Sequence, residues 1–226
     1  MIFRRIKPIK YDHIISLGYN CEVSFRIKDF FGKLESYPFT WVYINNQIPQ
    51  FVDVLKNFDK LLLKKNNLSV VPWGMILDNK YNVLFHTKGD IREMFDQNHT
   101  PIKKILDLKI SELKSRYKHL CFKFNDLLFS DDRTLFVIKI DCQNGYDVKD
   151  IIKFVKKINL FFKCNYKSKK YLLLVVVENK FYNKIKKMNS KYIVVKYVKK
   201  FASDAYTDID GDWEGWNDIF KSVCLK

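Results

Sequence analysis

The chain has 226 residues, with 41 basic and 25 acidic side chains and a formal charge of +16. That length supports one domain with a real core, and 47% apolar residues exclude wholesale disorder. Seven Gly and five Pro exclude a collagenous or linker-rich chain, and no apolar run reaches the roughly 18 residues of a membrane span.

His13 to Leu17 (HIISL) reads as a buried strand stopped by Gly18. Val23, Ile27, Phe30 and Phe31 then follow helical spacing, so Tyr19-Asn20-Cys21 lies at a strand-to-helix junction. Gln47 to Leu63 predicts a second helix, with Pro49 in its first turn. Asn82 to His86 (NVLFH) predicts a strand. Thr100-Pro101 caps a third helix carrying Ile102, Ile105, Leu106, Ile110 and Leu113.

The second half is more regular. A strand over Leu135 to Ile140 ends at Asp141, and a helix follows with Val148, Ile151, Ile152, Val155, Ile158 and Phe162. Tyr171 to Val177 (YLLLVVV) has the unbroken apolar run of a strand covered on both faces. A short helix near Phe181 to Met188 leads to a strand over Tyr192 to Val198, and a last helix bears Trp213, Trp216, Phe220 and Val223. Strand and helix in alternation mean parallel pairing with crossover helices. The expected fold is a single three-layer α/β domain over residues 1–226 with a mostly parallel sheet, Rossmann-like or SGNH-like. A less regular insertion or lid covers about 32–100.

Five cysteines are scattered without a CxxC pair, which fits neither a disulfide framework nor a zinc site. The start MIFRRIKPIK has no apolar stretch after its basic residues, so no signal peptide is read. A cytoplasmic protein, or one lying peripherally on an anionic membrane surface, is expected. Only six basic residues are Arg, and Lys, Asn, Ile, Phe and Tyr share AT-rich codons, so codon drift accounts for part of the charge. Segment 148–200 nevertheless holds 16 Lys against Asp150 and Glu178. It is either a solvated face or the site of an anionic ligand.

Active sites in parallel sheets lie beyond the carboxyl ends of the strands. Cys21, after a strand and a Gly turn at a helix start, is placed there as a nucleophile, where the helix N-terminus favours a thiolate. Of four histidines, His86 ends a strand and can reach the same edge as a base, whereas His13 begins one and belongs to the opposite edge. Asp141, or else Asp90, would orient His86. Amides after Gly18, or the Asn20 side chain, would supply oxyanion donors. The acids Asp204, Asp208, Asp210, Asp212 and Glu214 lack the spacing of a calcium loop and read better as a helix cap. No G-x-x-x-x-G-K-[ST], GxGxxG or H-E-x-x-H occurs, so no cofactor and no metal is expected.

Residues Ile15-Ser16-Leu17-Gly18-Tyr19-Asn20-Cys21, with Ser36-Tyr37-Pro38-Phe39-Thr40-Trp41 and Leu84-Phe85-His86, resemble the SLG-x-x-C and PF-D-W elements and a later F-x-H element of a papain-like cysteine peptidase family of unknown function. The resemblance spans about residues 12–141 and extends more weakly to the C-terminal Trp helix. It implies Cys21 as nucleophile and His86 as base, and it brings Tyr19 and Trp41 into the substrate region. Thr40 stands where the family has Asp. A papain fold has a helical half and an antiparallel barrel half, which the strand-helix alternation here opposes. Family members look associated with surface-polysaccharide synthesis. The resulting expectation is a Cys-His hydrolase or acyltransferase acting on a small-molecule, glycan or peptide carbonyl. The alternatives are a transferase using a nucleotide-activated sugar, or a polyanion-binding protein using the Lys-rich segment.

Overall fold

The computed structural model describes residues 10–18, 20–44, 47–60, 63–71, 75–86, 95, 102–141, 146–203 and 211–224. In chain order its elements are β1 His13–Ser16, α1 Glu22–Phe31, β2 Val42–Ile44, α2 Gln47–Lys56, β3 Leu68–Val70, β4 Ile76–Asp78, β5 Val83–Phe85, α3 Lys103–Phe129, β6 Thr134–Ile140, α4 Val148–Asn165, β7 Tyr171–Glu178, α5 Asn179–Ile185, β8 Ile193–Val198 and α6 Trp213–Cys224. One-turn 3₁₀ segments precede β3 and follow α5.

Four strands form a parallel sheet in the order β1-β6-β7-β8, with Ser16 beside Val137, Val137 beside Leu174 and Leu174 beside Val194. The fold is the expected three-layer α/β arrangement. β6 is buried along its whole length, because helices cover both faces. Alternation divides its side chains. Leu135 and Val137 face α1 and α6, where Val23, Ile27, Trp216, Ile219 and Phe220 pack. Phe136, Ile138 and Ile140 face the other way, toward Phe124 of α3 and Phe154, Ile158 and Phe162 of α4. Phe136 stacks on Phe162 with ring centroids 3.9 Å apart.

Within 32–100 lies a second sheet, antiparallel and ordered β2-β5-β4-β3. Its Val42, Ile44, Ile76, Val83 and Phe85 belong to the same apolar cluster as Phe136 and Phe162. The insertion is therefore built onto the helix-covered face of the parallel sheet, and its chemistry is delivered to that sheet's edge. Of these strands only β5 is expected from sequence, since three-residue strands are too short to show alternation. The second helix ends at Lys56 instead of Leu63, and Leu63 has a positive φ of 64° that no helix allows. The Thr100-Pro101 cap lies outside the described residues; α3 begins at Lys103 and runs 27 residues, about 40 Å.

Candidate functional site

The site begins with β1. Leu17 donates its amide to Val137 in 2.9 Å, the last tie of β1 to β6, and the chain then reverses at Gly18. Gly18 has φ +76°, and a Cβ there would lie 3.0 Å from the Phe39 carbonyl oxygen. Only glycine meets both demands. The Gly18 amide is directed to Ser16 Oγ at 3.5 Å. Asn20 then accepts from the Glu22 amide at 3.1 Å through Oδ1, which starts α1 two residues on. Cys21 occupies the N-cap position of α1 and is buried. Its amide donates to no acceptor among the described residues, as is usual at a helix start.

His86 reaches the thiol from the other sheet. It follows β5, and its Nε2 lies 3.5 Å from Cys21 Sγ. Arg116 of α3 fixes this segment by donating from Nη2 to the His86 carbonyl at 2.6 Å. Burial pushes the thiol up to about 11, with the charge of Lys139 pulling against it. Burial, and then the positive charge of Arg116, hold the imidazole below its ordinary value. Both shifts favour the neutral forms of the two side chains.

Sequence reasoning misses what lies beneath Cys21. Glu22 is fully buried and accepts from Lys139 Nζ at 2.5 Å, from Trp216 Nε1 at 3.1 Å and from the Ala202 amide at 3.4 Å. Arg26, one turn along, approaches Glu22 at 3.8 Å and lays its guanidinium over the Trp213 ring at 3.5 Å. This cluster locks the first turn of α1 to β6 and α6. One signal was present in the sequence: Lys139 interrupts the otherwise apolar strand LFVIKI.

Thr40 fills a structural place. Its Oγ1 accepts from the Tyr37 amide at 2.8 Å and its carbonyl accepts from Ser24 Oγ at 2.6 Å, tying the Pro38–Trp41 loop to α1. An Asp side chain can accept the same backbone amide. Trp41 packs edge-on to Phe25 with centroids 5.5 Å apart and donates to Ser36 Oγ at 3.3 Å. Asp141 is buried at the carboxyl end of β6, the same edge as Cys21. Tyr19 and Asp90 lie outside the described residues. His13 takes the opposite edge, held between Glu35 at 3.3 Å and Asp132 at 3.2 Å. Asp212 accepts from the Gly215 amide at 3.0 Å and so caps α6, while Asp204, Asp208 and Asp210 lie outside the described residues.

No protein-family model matches the chain, and no match is found among curated proteins or solved structures.

Proposed function

We propose that the protein is a Cys-His hydrolase or acyltransferase acting on a carbonyl substrate. The observation that carries this reading is the 3.5 Å approach of Cys21 Sγ to His86 Nε2, two side chains from different sheets and 65 positions apart. His86 takes the thiol proton as Cys21 sulfur attacks the carbonyl carbon, and the protonated imidazole then gives that proton to the leaving group. The thioester left on Cys21 passes to water or to an acceptor hydroxyl or amine. The Cys21 amide, at the start of α1, is assigned as a donor for the oxyanion. Asp141 is assigned to orient His86, and Trp41 to border the substrate. Kinship with the papain-like peptidases of unknown function, and a role in surface-polysaccharide metabolism in the cytoplasm, belong to this same proposal. The kinship is one of chemistry, since the sheet is parallel.

The test uses p-nitrophenyl acetate as an acyl probe, with mass spectrometry for an acetyl group on Cys21. Cys21→Ala is expected to abolish acylation, and His86→Ala to slow it about a hundred- to ten-thousand-fold. With the thiol at about 11, alkylation of Cys21 by iodoacetamide should be slow near neutral pH and climb toward pH 11. Acylation that ignores both substitutions would sink the reading.

A second reading places this chemistry at an anionic surface. Lys149, Lys153, Lys156 and Lys157 line one shallow groove of about 380 Å³ along α4 together with Ile152 and Leu160. Among the described residues none of the four has a carboxylate within ion-pair distance.

A further inference from the structure

Arg116 is half-buried on α3, yet only one of its N–H groups has a partner among the described residues, the His86 carbonyl at 2.6 Å. The acid whose charge it feels is Glu112, one turn back, which stays beyond ion-pair distance. A guanidinium has five donors in a planar fork, and desolvating it without a counter-charge is costly. Composition sharpens the point. This chain uses Lys almost everywhere, with six Arg among 41 basic residues. Arg26, which is buried, is engaged with Glu22 and Trp213. At Arg116 the planar fork is retained, and among the described residues no carboxylate lies within ion-pair distance of it. The same guanidinium grips the backbone of His86, whose ring touches Cys21, so Arg116 is linked to the thiol through one residue.

We propose that Arg116 is a substrate-recognition residue that binds an oxyanion, a carboxylate or a phosphate, carried by the molecule acylated on Cys21. The proposal rests on the Cys-His reading and narrows its substrate to anionic acyl compounds. Arg suits either group because it can offer two parallel N–H donors.

The test compares iodoacetate, an anion, with iodoacetamide, its neutral analogue, and takes the ratio of their alkylation rates at Cys21. The ratio for free N-acetylcysteine sets the intrinsic difference. In wild type the Cys21 ratio should exceed the reference about tenfold. Arg116→Gln should return it to the reference, and Arg116→Lys should retain part of the gain, as expected when charge survives but the fork is lost. A wild-type ratio equal to the reference, or one that survives Arg116→Gln, overturns the proposal. Should Arg116→Gln fail to fold, the wild-type ratio and Arg116→Lys decide. If Cys21 resists both reagents even as the pH is raised toward 11, the nucleophile reading falls by itself, and anion binding then decides for Arg116. Melting temperature is read in sodium phosphate and in sodium acetate against sodium chloride at equal ionic strength, in wild type, Cys21→Ser and the Arg116 variants. A rise that survives Cys21→Ser and disappears with Arg116→Gln supports the site, and the more effective anion identifies the group. No Arg116-dependent rise with either anion overturns it.

Discussion

At Gly18 two requirements coincide, a left-handed backbone and a missing Cβ, and both serve Cys21. With φ at +76° and the Phe39 carbonyl 3.0 Å from any added Cβ, Gly18→Ala must strain the turn or push the Phe39 loop away. The expected cost is about 1–3 kcal/mol by thermal or urea unfolding. The larger effect should be on the site. Phe39 adjoins Thr40, which holds Ser24 of the Cys-bearing helix, so the displacement should uncouple Cys21 from His86. Iodoacetamide labelling of Cys21 in Gly18→Ala should then no longer respond to His86→Ala; a response equal to that in wild type would show that the turn is not what aligns the pair. The contact between Cys21 and His86 was legible in the sequence because each follows a recognisable strand on one predicted edge. Their supports were not. Arg116 lies in the middle of a long helix, and Glu22 reads as an ordinary first-turn acid. Nothing in a linear pattern tells a solvated helix residue from one that meets a strand more than a hundred positions away.

At the scale of elements, α1 is pinned by an ion pair that the parallel sheet fully encloses. Glu22 and Lys139 both have zero exposure, so removing Lys139 leaves a buried carboxylate stripped of its nearest cation, with Arg26 at 3.8 Å and the Trp216 and Ala202 donors remaining. Lys139→Met should cost about 3–5 kcal/mol, whereas Glu22→Gln with Lys139→Met should recover most of it. Chemical denaturation of the two singles and the double measures the coupling directly. A Lys139→Met penalty below about 1 kcal/mol would mean the pair is dispensable to the fold. The same scale shows which elements can be read from sequence. The second half is predicted almost strand for strand, because β6, β7 and β8 are long enough for periodicity to appear and each is followed by an amphipathic helix. The antiparallel sheet escapes, apart from β5, because its strands have three residues each and their partners are chosen by tertiary contact with α3 and α4.

For the whole molecule the question is what a charge of +16 is for. Codon drift scatters Lys without regard to neighbours, but on α4 the spacing is unfavourable to the protein itself. Lys149, Lys153 and Lys157 stand at i, i+4 and i+8, and like charges at i, i+4 destabilise a helix by a few tenths of a kcal/mol per pair. The helix offsets this locally with a capping box between Asp147 and Asp150 at its N-terminus. Leu160 sits among the lysines and is 59% exposed, which adds an apolar contact to a basic face. A bilayer carrying anionic lipid satisfies both, at about 1 kcal/mol for each lysine near the surface. The protein should therefore sediment with vesicles of phosphatidylcholine and phosphatidylserine, remain free of phosphatidylcholine vesicles, and dissociate as salt is raised. Lys153→Glu with Lys157→Glu should weaken vesicle binding by about tenfold or more while leaving Cys21 labelling unchanged, since α4's outer face is remote from the Cys21–His86 contact in the chain and carries none of its residues. Binding that is insensitive to salt or to this double substitution would return the lysines to the role of a solvated face, and would place any acyl chemistry in solution instead of at a surface.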